Sequence, residues 1–348
     1  MGKLAIETRG LKKSFGKTHA VAGVDLAVSA GGVYGVRRHQ GWPVAPAPDR
    51  CCHRPHAAQA PRQTSRTEMC EMNEMAFRVT SNDGTTIAYD REGSGPAVIL
   101  VGGALDGGVE NAPLAPTLAE RFTVYNYARR GRGASGFTEP YAVEREIEDL
   151  DALIAEAGGS AHLFGASSGG ALALEAAAAG SAIDTIAVWE VPYAVGDDIR
   201  PRFEEYIADT RRAFDAGRDE EVLELFMRMT GASDDNIAAR KAAGKQTAHW
   251  ADSVALAPTL VHDSVFLNRY RLPADRLATV TQPVLVTTGG PITVPYMAGL
   301  PSDFFDRAAD ELADQLPHVQ RETLEVPDHV VDPQTVGPLL LRFFSTEH

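Results

Sequence analysis

The feature that most constrains the fold of this chain is a pentapeptide of small residues, GASSG, at residues 165–169. An apolar run at 161–164 (AHLF) precedes it, and a small-residue segment at 170–175 (GALALE) follows it. This order predicts a buried strand, a tight turn and a helix, with Ser167 at the apex of the turn. Glycines on both sides of the serine suit a strained turn that leaves the hydroxyl exposed at the carboxyl edge of a sheet. We therefore expect Ser167 to be a nucleophile; the alternative is a Gly/Ser-rich turn without chemistry.

Composition and charge narrow the class of protein. The 348 residues, 44% of them hydrophobic, suffice for one large globular domain or two modest ones. Residues 1–71 carry 11 Lys and Arg against 5 Asp and Glu, whereas residues 72–348 carry 22 against 42. So acidic a body is a poor partner for nucleic acid or anionic lipid. No apolar run approaches the roughly 18 residues of a membrane span, and no secretory leader is recognisable, so we expect a cytoplasmic protein.

The three cysteines, Cys51, Cys52 and Cys70, all lie in the basic N-terminal part of the chain. No disulfide framework can therefore brace the acidic body. His53 and His56 are near, but adjacent cysteines lack the spacing that lets two thiolates reach one tetrahedral ion. We expect no metal and no cofactor.

The N-terminal segment resembles a different kind of protein from the rest. Residues 4–36 resemble the opening of an ABC-transporter ATP-binding subunit of the antibiotic-exporter kind. The phosphate-binding loop that the resemblance implies is missing: GKT at 16–18 would need a glycine at the position of Leu11, and the next lysine is Lys241. We expect residues 1–36 to be a remnant that binds no ATP.

A change in composition follows. Residues 37–66 hold six Arg, five Pro, three His and two Cys, without alternation or a helical stripe. Such a stretch cannot bury enough apolar surface to offset its ordering entropy, so we predict a disordered linker at 37–71. The main domain then spans 72–348. Either a transporter-gene start has been joined to it by frameshift or fusion, or the leader is genuine but unstructured.

From residue 75 onward the pattern alternates between strands and helix-length segments. Residues 77–80 and 86–89 flank the turn signal NDG and predict a hairpin. Further strands are predicted at 97–101, 122–125, 183–191, 283–288 and 321–326. Strands separated in this way favour a mostly parallel sheet with helices on both faces.

Two more motifs complete a resemblance to the α/β-hydrolase family over about residues 76–346. Residues 102–104 (GGA) stand at the position of that family's oxyanion loop, and residues 129–135 (RRGRGAS) resemble its R-G-x-G-x-S turn. The resemblance implies the α/β-hydrolase fold, and it implies that the insertion at 197–275 forms a helical cap over the site. The apolar stripes of that insertion are equally compatible with a structural core.

The oxyanion loop departs from the family at one position, because Gly102 replaces the usual histidine. Backbone N–H groups do the oxyanion work, so the replacement leaves the chemistry intact. By position, the donors are expected to be the amides of Ala104 and Ser168.

The resemblance implies a histidine after the last strand as general base. His329, in PDHVV at 327–331, occupies that position. The histidines at 162, 249, 262 and 318 lie in the serine-bearing strand, in the insertion or before the final strand. We therefore assign the base to His329.

The carboxylate that would orient the histidine is harder to assign. Most relatives carry an aspartate after the seventh strand, yet residues 284–293 contain no carboxylate, and Asp303 is the first to follow. Some relatives carry the acid after the sixth strand, where Glu190 ends an apolar run. An unpaired charge there would be costly, so Glu190 needs a partner such as a histidine. We prefer Glu190; Asp303, another carboxylate, a Ser-His dyad, or a merely structural ion pair at Glu190 are the alternatives.

These residues predict a cofactor-independent serine hydrolase of small-molecule esters, lactones or similar acyl compounds. Trp250, Phe266 and Tyr193 are candidate pocket walls. The alternatives are a cofactor-free haloperoxidase or perhydrolase on the same triad, and a receptor that binds a small ligand without catalysis. The oligomeric state is left open.

Overall fold

A computed structural model of the chain describes residues 4–15, 18–29, 76–247, 249–326 and 328–346. Contacts divide the chain into two units, Met1–Arg62 and Gln63–His348. In the first unit, strands β1 (Leu4–Phe15) and β2 (Thr18–Ser29) pair in antiparallel fashion. The predicted linker at 37–71 and all three cysteines lie outside the described residues.

The second unit is built on an eight-stranded sheet. Its strands in chain order are β3 (Phe77–Thr80), β4 (Thr86–Gly93), β5 (Ala97–Val101), β6 (Thr123–Tyr127), β7 (Ala161–Ala166), β8 (Ile183–Trp189), β9 (Val284–Thr288) and β10 (Val319–Thr323). Across the sheet the order is β10-β9-β8-β7-β5-β6-β4-β3. Strand β4 is antiparallel to β3 and β6, and all the other neighbouring pairs are parallel.

The central strands are apolar because both faces of the sheet are covered. Every residue of β5 and of β9 is buried. A strand enclosed on both faces reads as a continuous apolar run rather than as an alternation. Strand β10, at the sheet edge, is largely exposed and carries the polar sequence VQRET.

Helices fill the connections. They are α1 (Ala115–Leu118), α2 (Val143–Glu156), α3 (Ser168–Ala179), α4 (Arg200–Asp215), α5 (Asp219–Thr230), α6 (Asp234–Thr247), α7 (His249–Leu256), α8 (Thr259–Phe266), α9 (Ala274–Leu277), α10 (Phe304–Gln315) and α11 (Pro333–Phe344), with 3-10 turns at Ala112–Leu114 and Pro295–Met297. Helices α4 to α8 all come from the insertion between β8 and β9.

Two hydrophobic clusters cover the two faces of the sheet. One includes buried residues of α2, α3 and α10, and the other includes buried residues of α1 and α11. A sheet with helices on both faces is the predicted fold class, which is thereby confirmed. A third cluster lies within the insertion, around Val222, Leu223 and Trp250.

The last strand differs from its prediction. We expected residues 321–326, but β10 begins at Val319, which pairs with Val284. The apolar residues that suggested a later strand, Leu324 and Val326, follow the strand and pack against the α1/α11 face. A polar edge strand carries little hydrophobic signal, so its pairing with β9 decides its position. Within the described residues, no helix is long and apolar enough to cross a membrane.

Candidate active site

Ser167 lies at the turn between β7 and α3. Its backbone has φ of 53° and ψ of −125°, a conformation that non-glycine residues rarely adopt. The Ser167 N–H donates to the carbonyl of Trp189, at 2.7 Å. A Cβ on Gly169 would lie 2.3 Å from the carbonyl oxygen of Val101, so only glycine lets α3 begin this close to β5. The turn therefore holds a strained serine at the carboxyl ends of the central strands.

The loop after β5 passes directly beside this serine. A Cβ on Gly103 would lie 3.1 Å from the Cβ of Ser167 and 3.8 Å from its Oγ. Ala104, the next residue, and Ser168 both line the same cavity as Ser167. Ser168 is the first residue of α3, where a backbone N–H has no intrahelical acceptor. Both of the amides proposed as oxyanion donors thus belong to segments that border the serine.

His329 is held from two sides in the segment between β10 and α11. Its ring stacks on that of Phe305 of α10, with centroids 4.7 Å apart and planes 7° from parallel. Its carbonyl accepts a hydrogen bond from the indole N–H of Trp189, at 2.8 Å. Trp189 ends β8 and is completely buried. These contacts orient the imidazole on the wall of the cavity that Ser167 lines.

Glu190 follows β8 and contacts the histidine directly. Its Oε2 lies 2.6 Å from Nδ1 of His329, and its Oε1 accepts the N–H of Gly289, at 2.9 Å. The Glu190 side chain is 5% exposed. The contact between Oε2 and Nδ1 favours the imidazole tautomer that carries a proton on Nδ1 and leaves Nε2 free to accept one.

Gly289 lies in the loop after β9, where most relatives place their acid. A Cβ there would lie 2.2 Å from the carbonyl oxygen of Val326, so this position is too crowded for any side chain. Asp303, the alternative acid, precedes α10, is 62% exposed, and pairs with Arg307 at 3.3 Å. The structure thus brings Glu190, and not Asp303, to His329. Within the described residues, the Ser167 hydroxyl has no hydrogen-bond partner.

The other described histidines of the second unit lie in different surroundings. His162 contacts Thr185 and the ring of Phe344, and His318 is exposed. His262 of α8 stacks on Tyr141. His249, at the start of α7, borders the cavity that Ser167 lines.

The cavity has a volume of about 730 Å³. Its walls away from Ser167 are mainly apolar and come largely from the insertion, including Leu223, Phe226, Met227, Met229 and Trp250. A cavity of this size suits a small organic molecule. Of the three predicted pocket walls, Trp250 borders the cavity, whereas Phe266 and Tyr193 belong to the hydrophobic core and are at most 2% exposed.

One carboxyl group on the cavity wall has a shifted pKa. Although the Glu110 residue as a whole is exposed, protein atoms around its carboxyl group exclude part of the water that would stabilise its charge. This desolvation, together with the negative charge of the nearby Asp106, raises the pKa of Glu110 to about 7. His329 and Arg132 act in the opposite sense. Glu110 therefore changes charge close to neutral pH beside the histidine.

Sequence reasoning missed a buried ionic cluster beside the loop at residues 102–104. Arg129 and Arg132 both pair with Asp263 of α8, and Arg129 also pairs with Glu146 of α2, at 2.7 Å. Arginines in the RRGRGAS turn were visible, but their acidic partners lie far away in the sequence. Only the fold brings them together.

Comparison with known proteins agrees with this architecture. Residues 97–335 match the alpha/beta hydrolase family. A solved alpha/beta hydrolase from Sphaerobacter thermophilus is 41% identical, with a TM-score of 0.66, and the match covers 77% of this chain and 100% of that one. The chain therefore belongs to the alpha/beta hydrolase family.

More distant matches are similar in fold or over a short segment. The esterase RhEst1 from Rhodococcus has the same fold, with 20% identity and a TM-score of 0.56 over 78% of this chain and 98% of that one. The uncharacterized hydrolase YraK of Bacillus subtilis is 35% identical over 96 residues, which are 26% of this chain and 35% of YraK. The probable oxidoreductase EphD of Mycobacterium tuberculosis is 40% identical over 88 residues, which are 24% of this chain and only 15% of EphD.

Proposed function

We propose that this protein is a cofactor-independent serine hydrolase of small-molecule esters, lactones or related acyl compounds. The observation that carries the proposal is the buried Glu190 carboxylate 2.6 Å from Nδ1 of His329, on the wall of the cavity into which the strained Ser167 turn opens. Membership of a hydrolase family supports the same reading.

Each residue of the site has a defined role in the proposed reaction. Ser167 Oγ attacks the acyl carbonyl while Nε2 of His329 takes its proton, and Glu190 stabilises the imidazolium that forms. The amides of Ala104 and Ser168 bind the oxyanion of the tetrahedral intermediate. Collapse returns the proton to the leaving alcohol and leaves an acyl-enzyme, which water hydrolyses by the same steps.

The apolar walls of the cavity favour a substrate with an apolar substituent. Its insertion-derived walls carry aliphatic and thioether side chains, such as Leu223, Met227 and Met229. Burial of a methylene group contributes about 0.8 kcal/mol, so kcat/KM should rise along a series of p-nitrophenyl esters as the acyl chain lengthens. The series reaches its maximum when the cavity is filled.

A fluorophosphonate probe tests the proposal. We expect the probe to label Ser167 stoichiometrically, and we expect Ser167→Ala to abolish labelling and to lower turnover by about 10³-fold or more. Ser160→Ala is the matched control, since Ser160 is an exposed serine at the opposite end of β7. Labelling that survives Ser167→Ala would remove the assignment.

A further inference from the structure

A buried ionic cluster connects the cap to the loop beside Ser167. Asp263 is completely buried on α8, and one of its oxygens pairs with both Arg129 and Arg132. The side chains of both arginines are 1% exposed. Glu146 balances the second positive charge. Charges this deeply buried add little net stability, but they hold one geometry firmly because each would be costly without its partners.

Arg132 also reaches the oxyanion loop. Its Nη1 donates to the carbonyl oxygen of Gly103, at 2.6 Å. That carbonyl belongs to the same peptide unit as the N–H of Ala104. In a planar trans peptide the C=O and the N–H point in opposite directions, so a guanidinium that holds the carbonyl also aims the N–H away from itself. Ala104 lines the cavity.

The second donor residue is anchored to the same aspartate. The hydroxyl of Ser168 donates to Oδ2 of Asp263, at 3.1 Å. Arg129 approaches the carbonyl of Gly102, at 3.4 Å. Asp263 thus contacts Ser168 directly and reaches the loop at 102–104 through Arg129 and Arg132.

A hydrogen bond from a charged donor does more than orient a peptide. The guanidinium withdraws electron density from the Gly103 carbonyl, which makes the Ala104 N–H a stronger donor through the shared amide resonance. The donor is also fixed before the reaction, so no reorganisation is needed when the oxyanion forms. Such a contribution appears in the transition state and not in substrate binding.

We propose that Arg132, held in place by Asp263 of the cap, is a positioning residue that aims and polarises the Gly103–Ala104 peptide as an oxyanion donor. The cap then takes part in transition-state stabilisation as well as in forming the cavity. This inference rests on the proposed hydrolase function.

The test is Arg132→Met, which keeps the length of the side chain and removes its donors, while Asp263 retains Arg129 and Ser168. For hydrolysis of p-nitrophenyl butyrate we expect kcat to fall about 10- to 100-fold with KM within about 3-fold of the original value. The affinity for an alkyl trifluoromethyl ketone, whose serine adduct carries an oxyanion, should fall by a similar factor.

Arg130→Met is the matched control. Arg130 lies on the same turn and is equally buried, but it pairs with Asp149 and Asp83 and has no bond to residues 102–104. Arg130→Met should lower the melting temperature at least as much as Arg132→Met does. The folded Arg130→Met protein should nevertheless bind the trifluoromethyl ketone with the original affinity. A purely structural role for Arg132 would instead make the two variants alike.

Arg132→Lys covers the case in which Arg132→Met does not fold. A compact ammonium cannot fork between the Gly103 carbonyl and Asp263, so kcat and inhibitor affinity should both fall at least about 5-fold. Unchanged values in whichever variant folds would overturn the inference. If the original protein itself neither turns over the ester nor reacts with a fluorophosphonate, the proposed function has failed instead.

Discussion

At the scale of single residues, the pairing of Glu190 with His329 depends on where the backbone places the Glu190 carboxylate. Glu190 leaves β8 with φ of 47°, and its backbone N–H donates to Thr287 while its side chain meets His329 and the Gly289 amide. Gly289, the first residue after β9, lies too close to the Val326 carbonyl to carry a side chain. Glu190, one strand away, reaches His329 from the end of β8.

The first prediction concerns this carboxylate. Glu190→Gln keeps the shape and removes the charge that stabilises the imidazolium, so we expect kcat to fall by about 10² to 10⁴ with little change in KM. Steady-state kinetics on a p-nitrophenyl ester measure both values. Asp303→Asn is the control and should have little effect. The reverse pattern would mean that the acid follows β9 and that Glu190 is only a structural partner.

At the scale of elements, helix α8 joins the insertion to the turn at 129–135 and to the start of α3, because its Asp263 contacts Arg129, Arg132 and Ser168. Besides Asp263, it presents His262, whose ring stacks on Tyr141, with centroids 4.0 Å apart, and on Phe137, at 5.2 Å. Burial lowers the pKa of His262 below its usual value of 6.5. The stack therefore favours a neutral imidazole.

The second prediction is a pH dependence of stability that comes from this helix. Since the folded pKa of His262 is lowered, the unfolded chain binds its proton first, and the free energy of unfolding falls as the pH drops below about 6.5. The loss is at most about 1.4 kcal/mol per pH unit between the two pKa values. His262→Phe keeps the stacked ring and should reduce the fall in melting temperature between pH 7.5 and 5.5.

His318→Gln serves as the control for this prediction, because His318 is exposed and lies outside the stack. It should leave the pH dependence unchanged. An equal slope in the protein with and without His262 would show that protonation of this histidine does not affect the docking of α8.

At the scale of the whole molecule, only the second of the two units contains residues of the proposed site. Every residue of the proposed site lies in Gln63–His348, and the family match begins only at residue 97. The N-terminal strands β1 and β2 form a hairpin of their own.

The third prediction is that deletion of residues 1–71 leaves the fold and the esterase activity intact. The physical reason is that the sheet, both hydrophobic clusters and the cavity are built from residues after 76. Thermal melting and ester turnover of the shortened and full chains provide the measurement. We also expect no ATP binding by the full chain. Aggregation of the shortened protein, or loss of its melting transition, would make the leader an integral part of the domain.

Much of the fold was predictable because its signals are local. The buried strands are continuous apolar runs, and the turn at Ser167 needs small residues on both sides. Weak local signals gave the errors: a polar edge strand was misplaced, and Phe266 and Tyr193 were expected at a pocket although both lie in the core. Residue type alone does not reveal whether an aromatic side chain faces a cavity or the core.

The sequence by itself determined the strand, turn and helix around Ser167, since backbone strain and apolar burial act over a few residues. The expectation for His329 came from the family resemblance. Only the tertiary structure decided which carboxylates meet which partners. Glu190 and His329 are 139 residues apart, and Arg132 and Asp263 are 131 apart. Interaction between charges depends on distance in space and on burial, and the folding of the sheet and cap sets both of these quantities.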